Sequence, residues 1–485
     1  MLFKFKAFSQ DGTIDFSFNI GQGPKFPSPN SPWSNAPSGV NSFKILNNGK
    51  ILILGYFSSF NGAHKPTLAI LNDDGSLENN FHADLDTFAF SGTRPKLGIQ
   101  KDFGYIICPE GPFYVPRYEG YDMIRVNFDG TVDLDFNTKR GYGFIGQVRD
   151  MVVQPDDKIL VAGYIQQIDR INTGKIIRLN ADGSPDYAFI NNTLSWSTTF
   201  HQHGGWTSID KILVLPNKKI ILGGHYIRNG FARYGLFRIN EDGTFDFSFD
   251  SGVIYDSPYS GYISDIKVDS LGKIFCTGTF HHYSNSVSSK SNIYGMVRLH
   301  DNGSIDNSFN YLQYAVDTFK IESPDFVLLQ PDGKILVVDH FTYIPMYEHW
   351  YGILRLNYDG TIDSSFNSNC VFNDNIIHVD FDQNGRILAC GYFNRFDNYI
   401  SNNLVRLQND LTVPCDECLL VSSSNLEKNG QLLIYPNPAK NVVRIKGLDS
   451  KLEQELFLFD ITGKKHVIDI TKVSENQLEI NLETL

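Results

Sequence analysis

A ten-residue phrase recurs along this chain. It reads QDGTIDFSFN from Gln10, EDGTFDFSFD from Glu241 and YDGTIDSSFN from Tyr358. Its glycine returns at Gly12, Gly75, Gly130, Gly183, Gly243, Gly303 and Gly360, at spacings of 63, 55, 53, 60, 60 and 57 residues. A repeat at nearly fixed period restricts the fold more than any other sequence feature, because each copy must form the same unit and bury its apolar face on its neighbours. From the second copy onward a strand-like run precedes the phrase, as in IIRLNADGS and LFRINEDGT. An eighth run, LVRLQNDLT from Leu404, keeps the strand and loses the glycine.

A second motif alternates with the first. It reads LNNGKILILGYF from Leu46, QPDDKILVAGY from Gln154, LPNKKIILGGHY from Leu215, DSLGKIFCTGTF from Asp269, QPDGKILVVDHF from Gln330 and DQNGRILACGYF from Asp382, with a worn copy, IQKDFGYIICPE, from Ile99. Each unit then reads as four strands. A precedes QPDG, B is KILVAG, C is the IRLN run and D is TIDxSF. Apolar residues alternate in B and C with the period of a strand. Gly and Asn at the A–B and C–D turns accept the positive φ of tight hairpins. Seven such units predict an all-β chain, a seven-bladed β-propeller with four-stranded blades. An open β-solenoid is the competing architecture, but its coils are shorter. Eight blades would follow if residues preceded the first copy. The start of the chain carries a D motif and its last unit has none, so the N-terminal segment is expected to complete the last blade and remove an open edge.

Composition narrows the class of partner. Of 485 residues, 41% are hydrophobic and 20% charged, which suits a globular chain. The net charge of −12, without a basic run, argues against nucleic acid. No stretch reaches the length of a membrane span. Cys108, Cys276 and Cys390 lie in apolar runs and read as small core residues. Cys415 and Cys418, in CDEC, read as a local disulfide or as an incidental pair, without the further ligands nearby that a metal site needs. The N-terminus, MLFKFKAFSQDG, has no apolar signal-peptide core.

The paired motifs resemble the delta-60 repeat propellers of bacterial surface proteins over residues 1–410. The resemblance implies a fold and no particular activity. Residues 411–431 read as a linker. Residues 432–485 carry YPNP at Tyr435, Pro436, Asn437 and Pro438, and later LFDITGK, with Asp460 and Gly463. This pairing resembles the C-terminal sorting domain of the type IX secretion system of Bacteroidota. It implies a small β-sandwich, contact with that machinery, and a secreted or cell-surface location. The generic alternative is an adhesion-type sandwich. The usual closing GxYxxxI strand is missing, so the domain reads as partial and the chain as trimmed at both ends.

Strand order places function. In an antiparallel blade the A–B and C–D turns share one face of the disc, and the B–C and D–A connections share the other. The second set is long and aromatic. It carries Trp33, Trp196, Trp206, Trp350, Tyr343 and Tyr347, with Phe113, Tyr114, Tyr118, Tyr142, Phe144, Tyr255, Tyr259 and Tyr262. Exposed rings there would stack on sugars or anchor a protein; taken singly, most are expected to fold back as local cores. Strands A begin with Asp150, Asp210, Asp265, Asp325 and His378, with Asn41 in a similar place. Gathered at a channel mouth, these acids would suit polar groups of a sugar or a cation such as calcium, otherwise no cofactor being expected; as ordinary strand ends they would only be solvated. His201, His203, His281 and His282 lack regular metal-ligand spacing. No nucleophile elbow, phosphate loop or zinc-protease motif occurs. The Asp-Gly pairs read as turn chemistry, since EF-hand spacing is absent. The reading is a secreted or surface binding module for a glycan or protein. The alternatives are a polysaccharide hydrolase or lyase with carboxylates at the channel mouth, and a structural spacer.

Overall fold

The computed structural model describes residues 11–25, 39–85, 95–109, 123–194, 208–228, 231–249, 262–280, 295–311, 324–343, 348–366, 371–397 and 399–409, with short strands elsewhere. The chain divides into two compact units. One holds residues 1–329 and 335–410, and the other residues 411–485 with 330–334.

Within the first unit the A–B–C meander recurs. The strands are Gly39–Ile45, Ile51–Tyr56 and Leu68–Leu71; Lys96–Gln100, Gly104–Cys108 and Ile124–Asn127; Phe144–Val153, Ile159–Ile168 and Ile176–Leu179; Ser208–Val214, Ile220–Arg228 and Phe231–Ile239; Tyr262–Val268, Ile274–Thr279 and Met296–Leu299; Phe326–Leu329, Ile335–Tyr343 and Glu348–Leu356; and Ile376–Phe381, Ile387–Gly391 and Leu404–Leu407. All pairings are antiparallel. The B strands are buried on both sides, as Ile51, Leu52, Ile53 and Leu54 show. Adjacent sheets therefore pack face to face. Leu52, Leu54 and Leu68 of the first meet Leu97, Ile107 and Ile124 of the second. At about 1.5–3 kcal/mol for each fully buried aliphatic side chain, these layers are the main stabilising term. Cys108, Cys276 and Cys390 are buried among them as free thiols.

The fourth position of each unit differs from a full strand. Residue Ile362 makes one bridge to Leu356, and the same single bridge joins Leu77 to Leu71, Val132 to Val126, Pro185 to Leu179, Phe245 to Ile239 and Ile305 to Leu299. The chain then turns inward. Where the phrase carries serine two residues after its second Asp, as at Ser248, it makes a tight turn. In two units where it does not, a short helix forms, Leu134–Lys139 capped by Asp133 and Tyr187–Leu194 headed by Asp186.

The N-terminal segment supplies this fourth position to the last sheet. Ile14 bridges Leu407, Gly12 N donates to Gln408 O at 2.8 Å, and Asp15 N donates to Arg406 O at 2.9 Å. Phe18 and Ile20 enter a core shared by the first and last sheets, with Val40, Phe43, Leu388 and Cys390. In the second unit, Leu433–Tyr435, Val442–Lys446, Gln477–Asn481 and Asp469–Ser474 form one sheet in that spatial order, and Leu458–Phe459 pairs with Lys465–His466.

Candidate functional site

The turn face is built by the repeated phrase. Its first acid accepts from the backbone and hydroxyl two residues on: Asp359 Oδ1 takes Thr361 N at 2.9 Å and Thr361 Oγ1 at 2.7 Å. Gly360 follows at φ 91°. The second acid pairs with the arginine of strand C. Arg238 Nε lies 2.6 Å from Asp246, Arg298 Nε 3.0 Å from Asp306, Arg355 Nε 2.6 Å from Asp363, and Arg406 Nε 2.8 Å from Asp15. The phenylalanine of the phrase packs under the guanidinium, 4.4 to 4.9 Å from ring centre to Cζ in six units. The same arginine reaches the next unit. Arg125 donates to Ala181 O at 2.7 Å, Arg178 to Glu241 O at 2.5 Å, Arg238 to Asp301 O at 2.6 Å and Arg298 to Tyr358 O. Hydrogen bonds from Lys219, Ser248 and Arg238 outweigh the cost of burial and hold Asp246 well below the ordinary carboxylate range. The first unit shows the rule by exception. Ile70 replaces the arginine and Glu78 the aspartate; Glu78 pairs instead with Lys50, and Lys65 donates to backbone carbonyls of Asn79 and Phe81.

The inner strands separate the A-strand acids into two registers. Asp150, Asp265 and His378 lie eight residues before the Lys or Arg that opens strand B; Asp210, Asp325 and Asn41 lie nine before. A register shift between Ile209 and Lys211, and its counterparts in four other A strands, divides them. The first set joins neighbouring units. Asp150 accepts from Met151 N at 3.0 Å and from Ile212 N of the next A strand at 2.9 Å. Asp265 accepts from Ile266 N at 2.9 Å and from Val327 N at 3.2 Å. His378 Nδ1 accepts from Phe43 N at 3.2 Å, its ring 4.5 Å from that of Phe43, where last sheet meets first. These side chains satisfy edge N–H groups that no strand pairs. Asp210 belongs to the second set and is buried, and among the described residues only the Ser208 hydroxyl donates to its carboxyl, at 3.1 Å. Burial pushes it up to about 6, against the opposing charges of Arg149 and Lys211. Asp325 is half-buried just before its strand.

The expected acidic ring is therefore mixed in sign. Burial, and then the charges of Lys44, Lys267, Lys211 and Lys96, hold His378 well below the ordinary imidazole range. Lys44 and Lys267 lie six residues before the Lys that opens strand B and Lys211 eight before, a spacing that the acids alone do not reveal. Lys267 lies 3.4 Å from Asp265.

The connection face is partly folded onto itself. D–A segments pair with the following hairpins: Pro24–Lys25 with Ser59–Phe60, Val253–Tyr255 with His282–Ser284, and Phe372 with Phe396. Phe60, Phe144, Tyr283, Phe372 and Phe396 are buried in these layers. Others stay open. Tyr142 is 51% exposed with Arg170 stacked 3.4 Å above its ring, Tyr262 is 37% exposed and Tyr399 51%. Trp350 and Tyr343 lie in the strands Glu348–Leu356 and Ile335–Tyr343, and Tyr435 in Leu433–Tyr435. Trp33, Trp196, Trp206, Tyr347, Phe113, Tyr114, Tyr118, Tyr259, His201, His203, His281, Cys415, Cys418, Pro436, Asn437, Pro438, Asp460 and Gly463 lie outside the described residues.

Segments 46–81, 154–189, 215–249, 272–309, 330–366 and 383–413 match the family described as domain of unknown function (DUF5122) beta-propeller, and residues 433–485 match the secretion system C-terminal sorting domain. No curated protein matches the chain. Among solved structures it is similar to an inactive virginiamycin B lyase from Staphylococcus aureus with quinupristin, at 12% identity, TM-score 0.40, covering 77% of this chain and 96% of that one. It is also similar to YCF48 bound to D1 peptide, at 10% identity, TM-score 0.39, covering 83% and 100% respectively. An oxidoreductase (glucose dehydrogenase) from Thermus thermophilus shares 12% identity at TM-score 0.33, covering 68% and 95%.

Proposed function

The chain belongs to the DUF5122 β-propeller family and carries a secretion-system sorting domain, and from that premise we propose that it is a non-enzymatic binding module on the surface of a Bacteroidota bacterium. Its tail addresses the type IX machinery, which delivers the propeller outside the cell. The connection face then meets a glycan or a surface protein. The observation that carries this reading is the division between the two faces. The turn face pairs its acids with its arginines in unit after unit, though Phe103, Phe128 and Phe247 stay exposed on it, whereas the connection face exposes Tyr142, Tyr262 and Tyr399 on loops that differ from unit to unit. Exposed rings on a rigid scaffold offer contact area at low entropic cost. A glycan array probed with the full chain, beside Trp196→Ala and Trp350→Ala, tests it. Binding that weakens in these variants supports the reading; no binding removes its carbohydrate form, and binding indifferent to both takes the two tryptophans out of it.

One observation favours an enzymatic second reading. Asp210 is a buried inner-strand carboxyl raised to about 6, which suits a general acid. Release of reducing ends from polysaccharide by the wild type, lost in Asp210→Asn, would support a hydrolase. Equal background in both would return Asp210 to a structural role.

A further inference from the structure

The seam where the N-terminal segment completes the last sheet holds a groove of about 230 Å³. Phe16 and Tyr399 stand on it edge to face, 5.2 Å apart, 71% and 51% exposed, beside Ile400. Ser401 also lines it. Ser401 is 8% exposed, and its Oγ has no hydrogen-bond partner among the described residues. A buried hydroxyl without a partner is costly unless something else supplies one. Asn19 and Asn402 complete the lining. Gly21 N donates to Asn19 Oδ1 and Asn402 Nδ2 donates to Gly21 O, both at 2.8 Å. The Asn19 amide N–H groups and the Asn402 amide oxygen therefore remain available.

We propose that this seam groove binds one neutral saccharide residue. Two adjacent rings match the C–H face of a sugar. One hydroxyl and two amides match its rim of donors and acceptors. Among the described residues the charges lining the groove are Asp15 and Arg406, which neutralise each other at 2.8 Å, so nothing among them selects an ion. The volume suits a single ring, being below the range of drug-sized sites. The proposal rests on the reading of this protein as a binding module, and it names a site apart from the tryptophans tested above.

The test is saturation-transfer NMR on the full chain with glucose, galactose, mannose and N-acetylglucosamine, and with the tripeptide Gly-Phe-Gly as a rival probe. At least one saccharide is expected to bind. Tyr399→Ala should weaken it more than tenfold, and Ser401→Ala by about 3- to 10-fold, the worth of one hydrogen bond. Trp196→Ala and Trp350→Ala should leave it unchanged, which separates this site from the wider face. Thermal unfolding of Ser401→Ala at the wild-type temperature guards against a folding artefact. Absence of saccharide binding, binding by the tripeptide alone, or binding indifferent to both seam variants would overturn the proposal. Array binding that depends only on the tryptophans would then leave the binding-module reading standing without this site.

Discussion

The two faces of the propeller unit are made from the same chain under different rules. On the turn face the same parts solve the same problem in most units: a capped Asp-Gly turn, an arginine, its aspartate, a hydroxyl and a phenylalanine. On the connection face each loop is written once. Some loops pair with a neighbouring hairpin and bury their rings; others leave rings in solvent. Repetition thus marks what holds the units together, and variation marks where a partner has room to be chosen.

That contrast can be broken in order of expected effect. Arg298→Ala removes the partner of a buried aspartate and the hold on Tyr358 O of the next unit. It should cost about 3–5 kcal/mol in denaturant unfolding, as for other broken buried pairs. A loss below about 1 kcal/mol would mean the clasp is ornamental. Asp210→Asn should act in the opposite direction. The folded pKa, about 6, lies above the unfolded value near 3.8. Its protonated form therefore favours folding below pH 4, and that contribution is lost as pH rises through 6. The amide keeps the neutral state, so the variant should be about 2–3 kcal/mol more stable at pH 7 and no different at pH 4. A variant no more stable at pH 7 would contradict the burial argument. Gly360→Ala places a Cβ at φ 91° and 2.8 Å from the backbone of Asn310; a loss of about 1–2 kcal/mol is expected by the same denaturation.

His378 sharpens the comparison at the seam, where imidazole stands in for the aspartates used elsewhere. Its folded pKa is depressed. Its contribution to stability is present above the unfolded value of about 6.5 and is lost as pH falls below it. The wild type should lose up to about 1.4 kcal/mol per pH unit below 6.5 from this group, and His378→Gln should flatten that part of the curve. Equal slopes in the two proteins would remove His378 from the account. The smallest effect belongs to the connection face. Tyr262→Ala should change stability by less than about 0.5 kcal/mol, and its consequence should appear in binding alone.

Much of the scaffold could be read from the repeat. Strands A, B and C, the turn glycines, the buried cysteines and the completion of the last sheet by residues after Gly12 all follow from periodicity and from a phrase missing at one end and present at the other. The fourth strand is shorter than the repeat predicts, because Asp363 is drawn inward to Arg355 and the ladder ends after one bridge. The second Asp shows no sign of its main partner in the phrase itself. Its backbone contact is real, but its arginine partner sits eight residues upstream on another strand. The inner-strand acids looked alike in sequence because a bulge of one residue is invisible to alternation; that residue sends Asp150 to a neighbouring backbone and buries Asp210 without one. The seam groove had no signature at all, since Phe16 and Tyr399 are 383 residues apart and meet only when the ring is joined.

The claim that one face holds and the other binds is tested most directly by a glycan array with two double variants of the full chain. Tyr142→Ala with Tyr262→Ala opens the connection face, and Phe128→Ala with Leu271→Ala strips exposed apolar groups from the turn face. The account predicts array signals that fall in the first variant and persist in the second, with both proteins folded. Signals that persist in the first and fall in the second would contradict it.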